Sequence, residues 1–195
     1  MSSFTLFAQP WWINLLIIVP FILFWIFWEN KLSIAKGQLL IVGMFGVAFG
    51  FVEAAVVIYL RAAAGFLPGY TGTLSDVIRD ATSTYQQIQA ANNIPQSLLM
   101  VEFFREIATM VILVSVALLA AKKFEERFAM FVWAFAFWDI FYYVGLWLTV
   151  RWPSSLTTSD VLFLIPVPWL AQVWFPLLID VLVMLAIVIN RKDPA

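Results

Sequence analysis

Cysteine and histidine are both absent from the sequence, and charged residues are scarce. Without cysteine the chain forms no disulfide bond and offers no thiolate ligand to an iron–sulfur cluster. Without histidine it lacks the commonest ligand of haem, copper and zinc, so a bound metal would need oxygen ligands, which magnesium, calcium and manganese prefer. We therefore predict no metal and no other cofactor.

The low charge content also limits the partners of the chain. Charged residues make up 12% of the 195 residues, and the net charge is −1 with no basic run, which excludes nucleic acid as a partner. Hydrophobic residues make up 64%, and the mean hydropathy is +0.95. Such a chain cannot cover a soluble globule with polar surface, so the composition predicts an integral membrane protein in contact with the lipid bilayer.

Five apolar segments are long enough to cross a bilayer, for which a helix needs about 20 residues. They cover approximately residues 10–28, 38–61, 96–121, 128–150 and 169–190. The predicted fold class is all-α: one domain, residues 1–195, forming a polytopic membrane bundle of five transmembrane helices. Apolar residues at helical spacing predict an amphipathic helix in the long 62–96 connection. A short helix is predicted from Thr158 or Ser159 to Ile165.

Basic residues predict the orientation of the bundle. Seven flank the spans on one side: Lys31, Lys36, Lys122, Lys123, Arg127, Arg191 and Lys192. Three lie on the other side: Arg61, Arg79 and Arg151. Cytoplasmic loops carry the excess of Lys and Arg, so the N-terminus is predicted outside and the C-terminus in the cytoplasm.

Small residues form a stripe along the second span, where Gly43, Gly46 and Gly50 recur at helical spacing. Such residues let another helix approach closely. The stripe indicates tight packing within the bundle, or else a hinge or pore wall. A homo-oligomer through Gly43, Gly46 and Gly50 is a further expectation.

The third span contains three charges in residues 102–109. Glu102, Arg105, Glu106 and Thr109 occupy positions i, i+3, i+4 and i+7, so they share one helix face. A charge at the centre of a bilayer costs a few kcal/mol or more, so this face must meet protein, partner charges or water.

Other ionisable residues lie at comparable depths in neighbouring spans. Glu53 borders the glycine stripe, Asp139 has tyrosines at i+3 and i+4, and Asp180 is the lone charge of the fifth span. We predict an acidic cavity in the outer half of the bundle. Its binding residues are Glu53, Glu102, Arg105, Glu106, Asp139, Tyr142, Tyr143 and Asp180, with Arg61 as a gate or ion-pair partner.

The excess of acid over base leaves two interpretations of this cavity open. Carboxylates without an arginine partner, with Glu106 and Asp139 as candidates, would carry protons or bind a cation. Alternatively, Arg105 pairs with Glu53 or Asp139 only to hold helices together. No known catalytic motif is present, and the residues that flank Asp139 and Asp180 do not match those of membrane aspartyl peptidases.

Three segments resemble a family of bacterial multi-pass membrane proteins. They are residues 51–61 (FVEAAVVIYLR), 138–143 (WDIFYY) and 162–169 (LFLIPVPW). The resemblance implies a similar bundle in the bacterial cytoplasmic (inner) membrane, and it implies no activity.

The function we expect is a small channel or transporter for protons, cations or a small cationic solute. One alternative is an accessory subunit whose aromatic faces contact partners in a larger membrane complex. Another is a membrane-embedded enzyme acting on a lipid, quinone or isoprenoid, with Glu106 or Asp139 as general acid.

Overall fold

The computed structural model describes residues 7–61, 96–163 and 167–193. These described residues are mostly helical, at 76%. A 3₁₀ stretch, Trp11–Ile18, continues into α1, Val19–Asn30. The other helices are α2, Lys36–Arg61; α3, Gln96–Ala120; α4, Phe124–Val150; and α5, Trp174–Asn190. The short strands are β1, Leu32–Ser33; β2, Ser159–Phe163; β3, Trp169–Gln172; and β4, Arg191–Lys192.

Four helical stretches are long and apolar enough to cross a membrane, as expected for a membrane helical bundle. They are Trp11–Asn30, Lys36–Tyr59, Met100–Ala120 and Phe124–Val150. α5 is apolar but has only 17 residues, because the predicted span 169–190 begins with strand β3 and becomes helical only at Trp174. Pro176 fits near this start, since the first backbone N–H groups of a helix have no intrahelical partner. The predicted amphipathic helix lies in residues outside the described part of the chain.

Strand β2, which forms a β-hairpin with β3, occupies the described part of the short helix predicted from Thr158 or Ser159 to Ile165, so the all-α prediction is wrong here. β2 pairs antiparallel with β3, with Asp160 opposite Ala171. Gln9 extends the pairing, because its N–H and C=O groups each bond Leu170 at 2.7 Å. The β-branched and aromatic residues of β2 suit a strand, and the pairing satisfies backbone groups that an isolated short helix would leave free.

Helix α4 is the centre of the bundle. It packs against α2, α3 and α5, while α1 packs on α5. Half of the most apolar 18-residue stretch of α4 is buried, against 22% of the corresponding stretches in Trp11–Asn30 and in α3. One continuous core joins the helices, and it includes the fully buried side chains Phe27, Leu113, Met130 and Ile187. The remaining surfaces of α1 and α3 carry exposed apolar side chains, as lipid-facing helices do.

The bundle has two chemically different ends. At the first, β1 pairs parallel with β4, Arg191 Nη1 donates to Ile34 O at 3.0 Å, and Gln38 Nε2 donates to Ala120 O at 2.9 Å. These contacts bring together residues 30–38, 120–127 and 190–193, which we call the basic end because it contains all seven basic residues of the predicted cytoplasmic side. The opposite end, formed by residues 7–10, 150–163 and 167–173, is called the hairpin end.

The glycine stripe of α2 lies against α4 of the same chain. A methyl group on Gly46 would lie 2.5 Å from Phe137 Cβ, and one on Gly50 would lie 2.5 Å from the backbone oxygen of Trp138. The stripe therefore serves tight packing within the bundle. Because α4 covers this face, the homo-oligomer expected through Gly43, Gly46 and Gly50 would require α4 to move away.

Replacing Gly50 with alanine tests this packing. We expect Gly50→Ala to lower the free energy of unfolding by about 1–3 kcal/mol, because the added methyl group forces the two helix backbones apart. Gly37→Ala is the matched control, since a methyl group there meets no atom within 4 Å. Thermal unfolding of the purified proteins in detergent measures both, and equal stability of the two variants would contradict the close approach of α2 and α4.

Candidate functional site

Arg105 on α3 is the positive centre of the site. Its Nη1 pairs with Glu53 Oε1 on α2, and its Nε and Nη2 donate to Glu102 Oε2 at 2.9 and 2.7 Å. The Arg105 side chain is 20% exposed and that of Glu53 is 8% exposed. This guanidinium therefore joins α2 to α3 within a largely desolvated environment, where charge-assisted hydrogen bonds are strong.

The charged face of α3 points into the bundle. Glu106 and Thr109 are buried, and Glu102 and Arg105 are half-buried, whereas Phe104 on the opposite side is exposed. Glu106 lies close enough to Arg105 to interact with it electrostatically. The shared helix face predicted from the i, i+3, i+4, i+7 spacing is thus the face that the structure buries.

A second acidic group lies between α4 and α5. Asp139 and Asp180 come within side-chain hydrogen-bonding distance of each other. Asp180 is only 4% exposed. In both residues Oδ2 is buried and has no hydrogen-bond partner among the described residues. An ionised carboxylate only accepts hydrogen bonds, so a bond between these two groups requires a proton on one of them.

Asp160 on β2 is a site residue that the sequence did not reveal. It is 2% exposed, and its Oδ2 accepts a hydrogen bond of 2.9 Å from Tyr143 Oη. It also interacts electrostatically with Asp139. The sequence analysis predicted a short helix at this position. The pattern that could have identified Asp160 is a single carboxylate directly before residues 161–163, which favour a strand.

Aromatic packing holds β2, and with it Asp160, against α4. The Phe163 ring lies 6.3 Å from those of both Phe135 and Trp138, centroid to centroid, and 5.4 Å from that of Trp169 on β3. Aromatic pairs at such distances add to the stabilisation from burial. The hairpin is consequently anchored to the central helix next to the site.

The two acidic groups are joined through adjacent tyrosines of α4. The rings of Tyr142 and Tyr143 lie 5.1 Å apart. Tyr142 interacts electrostatically with Arg105, and Tyr143 with Asp139. We call the whole assembly the acidic cluster; it comprises Glu53, Glu102, Arg105, Glu106, Asp139, Tyr142, Tyr143, Asp160 and Asp180.

The acidic cluster carries far more acid than base. Its six carboxyl groups and one guanidinium would give a formal charge of −5 if every group were ionised. So large a charge cannot be left uncompensated in an apolar bundle. Arg61, predicted as a gate or ion-pair partner, ends α2, and its side chain lies outside the described part. In residues 7–61, 96–163 and 167–193, no three acidic side chains are placed to hold a metal ion.

The fold and the site define a helical bundle with four apolar helices of membrane-spanning length and ionisable side chains buried between its helices. No protein-family model, curated protein or solved structure matches the chain.

A double-mutant cycle tests the Arg105–Glu53 ion pair. Arg105→Gln leaves two carboxylates without their counter-charge, so we expect a loss of about 2 kcal/mol, less than for a fully buried pair because the arginine is partly exposed. Glu53→Gln combined with Arg105→Gln should be less destabilising than the sum of the single changes, with a coupling energy of about 1 kcal/mol. Unfolding in detergent measures all four proteins, and strict additivity would contradict the pair.

Removing the Tyr143 hydroxyl tests the link between the hairpin and α4. Tyr143→Phe deprives the buried Asp160 of a donor, so we expect the protein to lose about 1–3 kcal/mol of stability. Tyr59→Phe is the matched control, because that side chain is 70% exposed. Thermal unfolding in detergent measures the difference, and a Tyr143→Phe protein as stable as the control would argue against the hydrogen bond.

Proposed function

We propose that the chain is a small membrane transporter or channel that moves protons, another cation or a small cationic solute through the acidic cluster. The observation that supports this most is the convergence of six carboxyl groups and one guanidinium from four helices and one strand. Ionisable residues inside a membrane bundle are costly, so their presence favours a solute or proton pathway. A cationic solute would compensate the excess negative charge.

The proposal includes five membrane crossings. α4 runs from the basic end to the hairpin end, and α5 returns to the basic end, where it continues into β4. The 17 residues of α5 span about 25 Å at 1.5 Å per residue. This length is close to the roughly 30 Å hydrocarbon thickness of a bilayer, and β3 precedes the helix on the same path.

We further propose an orientation with the N-terminus outside and the C-terminus in the cytoplasm. The supporting feature is the collection of seven basic residues at the basic end, which matches the usual excess of positive charge on cytoplasmic loops. The hairpin end then faces outward, and Glu53 lies about 12 Å inside it, eight residues from the end of α2. The proposed location is the cytoplasmic membrane of a bacterium, with multiple crossings.

A membrane-embedded enzyme is the second candidate, and the Asp139–Asp180 pair favours it. Two carboxyl groups that share one proton can act together as general acid and general base. Such an enzyme would act on a lipid, quinone or isoprenoid that reaches the pair from the bilayer. It would need no ion gradient, which separates it from a transporter.

Ion flux into liposomes that contain the purified protein tests transport. We expect the parent to carry flux under an imposed gradient, because the cluster offers charge compensation within the membrane. Asp139→Asn and Glu106→Gln should reduce this flux to the level of protein-free liposomes, while each protein remains folded by size-exclusion chromatography. Glu29→Gln is the control, because Glu29 is an exposed carboxylate outside the cluster.

Proton, potassium and sodium gradients are each imposed in turn, and a cationic dye reports on a larger solute. Flux that persists unchanged in folded Asp139→Asn and Glu106→Gln would show that the path lies elsewhere. The absence of flux under every gradient would refute the transport proposal.

A further inference from the structure

We infer that the ion taken by the acidic cluster is a proton, which Asp139 and Asp180 hold between them. In this conformation the proton exchanges with the hairpin end and not with the basic end. This inference rests on the proposed transport function and specifies its substrate. It also makes the protein a carrier that changes conformation, in contrast to a continuously open channel.

Hydrogen-bond chemistry supports a proton at this pair. Asp139 and Asp180 are close enough to bond, yet two ionised carboxylates have no hydrogen to share. Among the described residues, the Arg105 guanidinium does not supply the missing donor, since its ion pairs are with Glu53 and Glu102. The buried Oδ2 atoms have no other donor within the described residues. One shared proton satisfies the pair and removes one negative charge.

A divalent metal cation fits the pair poorly. Calcium takes 6–8 oxygen ligands and magnesium about six, whereas two carboxyl groups supply at most four oxygens. Over the described ranges, no third acidic side chain completes a metal site. A proton, by contrast, needs only the two facing oxygens.

Tyr143 and Asp160 connect the aspartate pair to the hairpin end. Tyr143 interacts with Asp139 and donates to Asp160, and a phenol hydroxyl can both donate and accept. Asp160 belongs to the hairpin, so it is the cluster residue that the outer end itself contributes. The other charged and titratable groups of the acidic cluster are Glu53 on α2, Glu102, Arg105 and Glu106 on α3, and Tyr142 on α4.

The helices carry no ionisable side chain between the cluster and the basic end. This holds for residues 38–52 of α2, 107–120 of α3, 128–138 of α4 and 181–189 of α5, and for residues 11–28 of the first helical stretch. The layer is about 16 Å thick along α4 and about 13 Å along α5. Because the described helices offer no acid or base within this layer to carry a proton onward, release toward the cytoplasm requires a different conformation.

Infrared spectroscopy of the protein in liposomes tests the bound proton directly. The parent and the Glu29→Gln control should show the carbonyl stretch of a protonated carboxyl group, shifted on exchange into D₂O. Asp180→Asn should abolish that band. Asp180→Glu, which keeps a carboxyl group, should shift the band in frequency and provides the test if Asp180→Asn does not fold. The absence of the band in the parent, or its persistence unchanged in both variants, would overturn the inference.

Flux measurements on the same liposomes then separate the two proposals. Proton uptake, followed with a trapped pH-sensitive dye under a potassium diffusion potential, should occur in the parent and disappear in Asp180→Asn. Sodium or potassium flux that depends on Asp180, without proton flux, would overturn the inference and leave transport standing. A protonated carboxyl band without any flux would refute transport itself, and with it the proton as the transported ion.

Discussion

The close approach of α2 to α4 is the contact on which the rest of the structure depends. Gly46 and Gly50 allow the two backbones to meet without intervening side chains, and this fixes both the distance and the register of the helices. One turn further along α2, Glu53 then lies level with the tyrosines of α4 and within reach of Arg105 on α3. The ion pair is thus a consequence of helix packing.

Much of this arrangement could be predicted from the sequence. The lengths of the apolar segments predicted four helices that the structure contains, and the helical spacing of the charged residues correctly predicted the buried face of α3. The glycine stripe was recognised as a contact surface. Its partner could not be identified, because several helices present backbones that a small-residue stripe can accommodate. Only the packed bundle shows that α4 occupies it.

The contribution of the hairpin could not be predicted in the same way. A run of apolar, β-branched and aromatic residues near two prolines fits a short helix or a strand, and the choice here depends on pairing with residues 169–172. Asp160 enters the site only through that pairing. Likewise, Asp180 is the only charged residue in its predicted span, so the spacing within that span indicates no partner for it. Its contact with Asp139 depends on the rotation of α5 about its axis. Periodicity within a segment fixes no such rotation relative to another helix.

The strand pairing at the basic end determines how the bundle can deform. β1 and β4 tie the end of α1 to the end of α5, and these helices also pack on each other. α2 is fixed to α4 by the glycine contact. α5 also packs on α4, and this contact, between the pair α1 with α5 and the pair α2 with α4, contains Asp139 on one side and Asp180 on the other. At the hairpin end, Phe163 anchors β2 to α4, and the Val173 N–H bonds the Thr158 carbonyl oxygen ahead of α5. The two pairs of helices are thus tied together at both ends of the bundle, and the aspartates lie between the ties, so a displacement of α5 against α4 would strain both ends as it separated the two carboxyl groups.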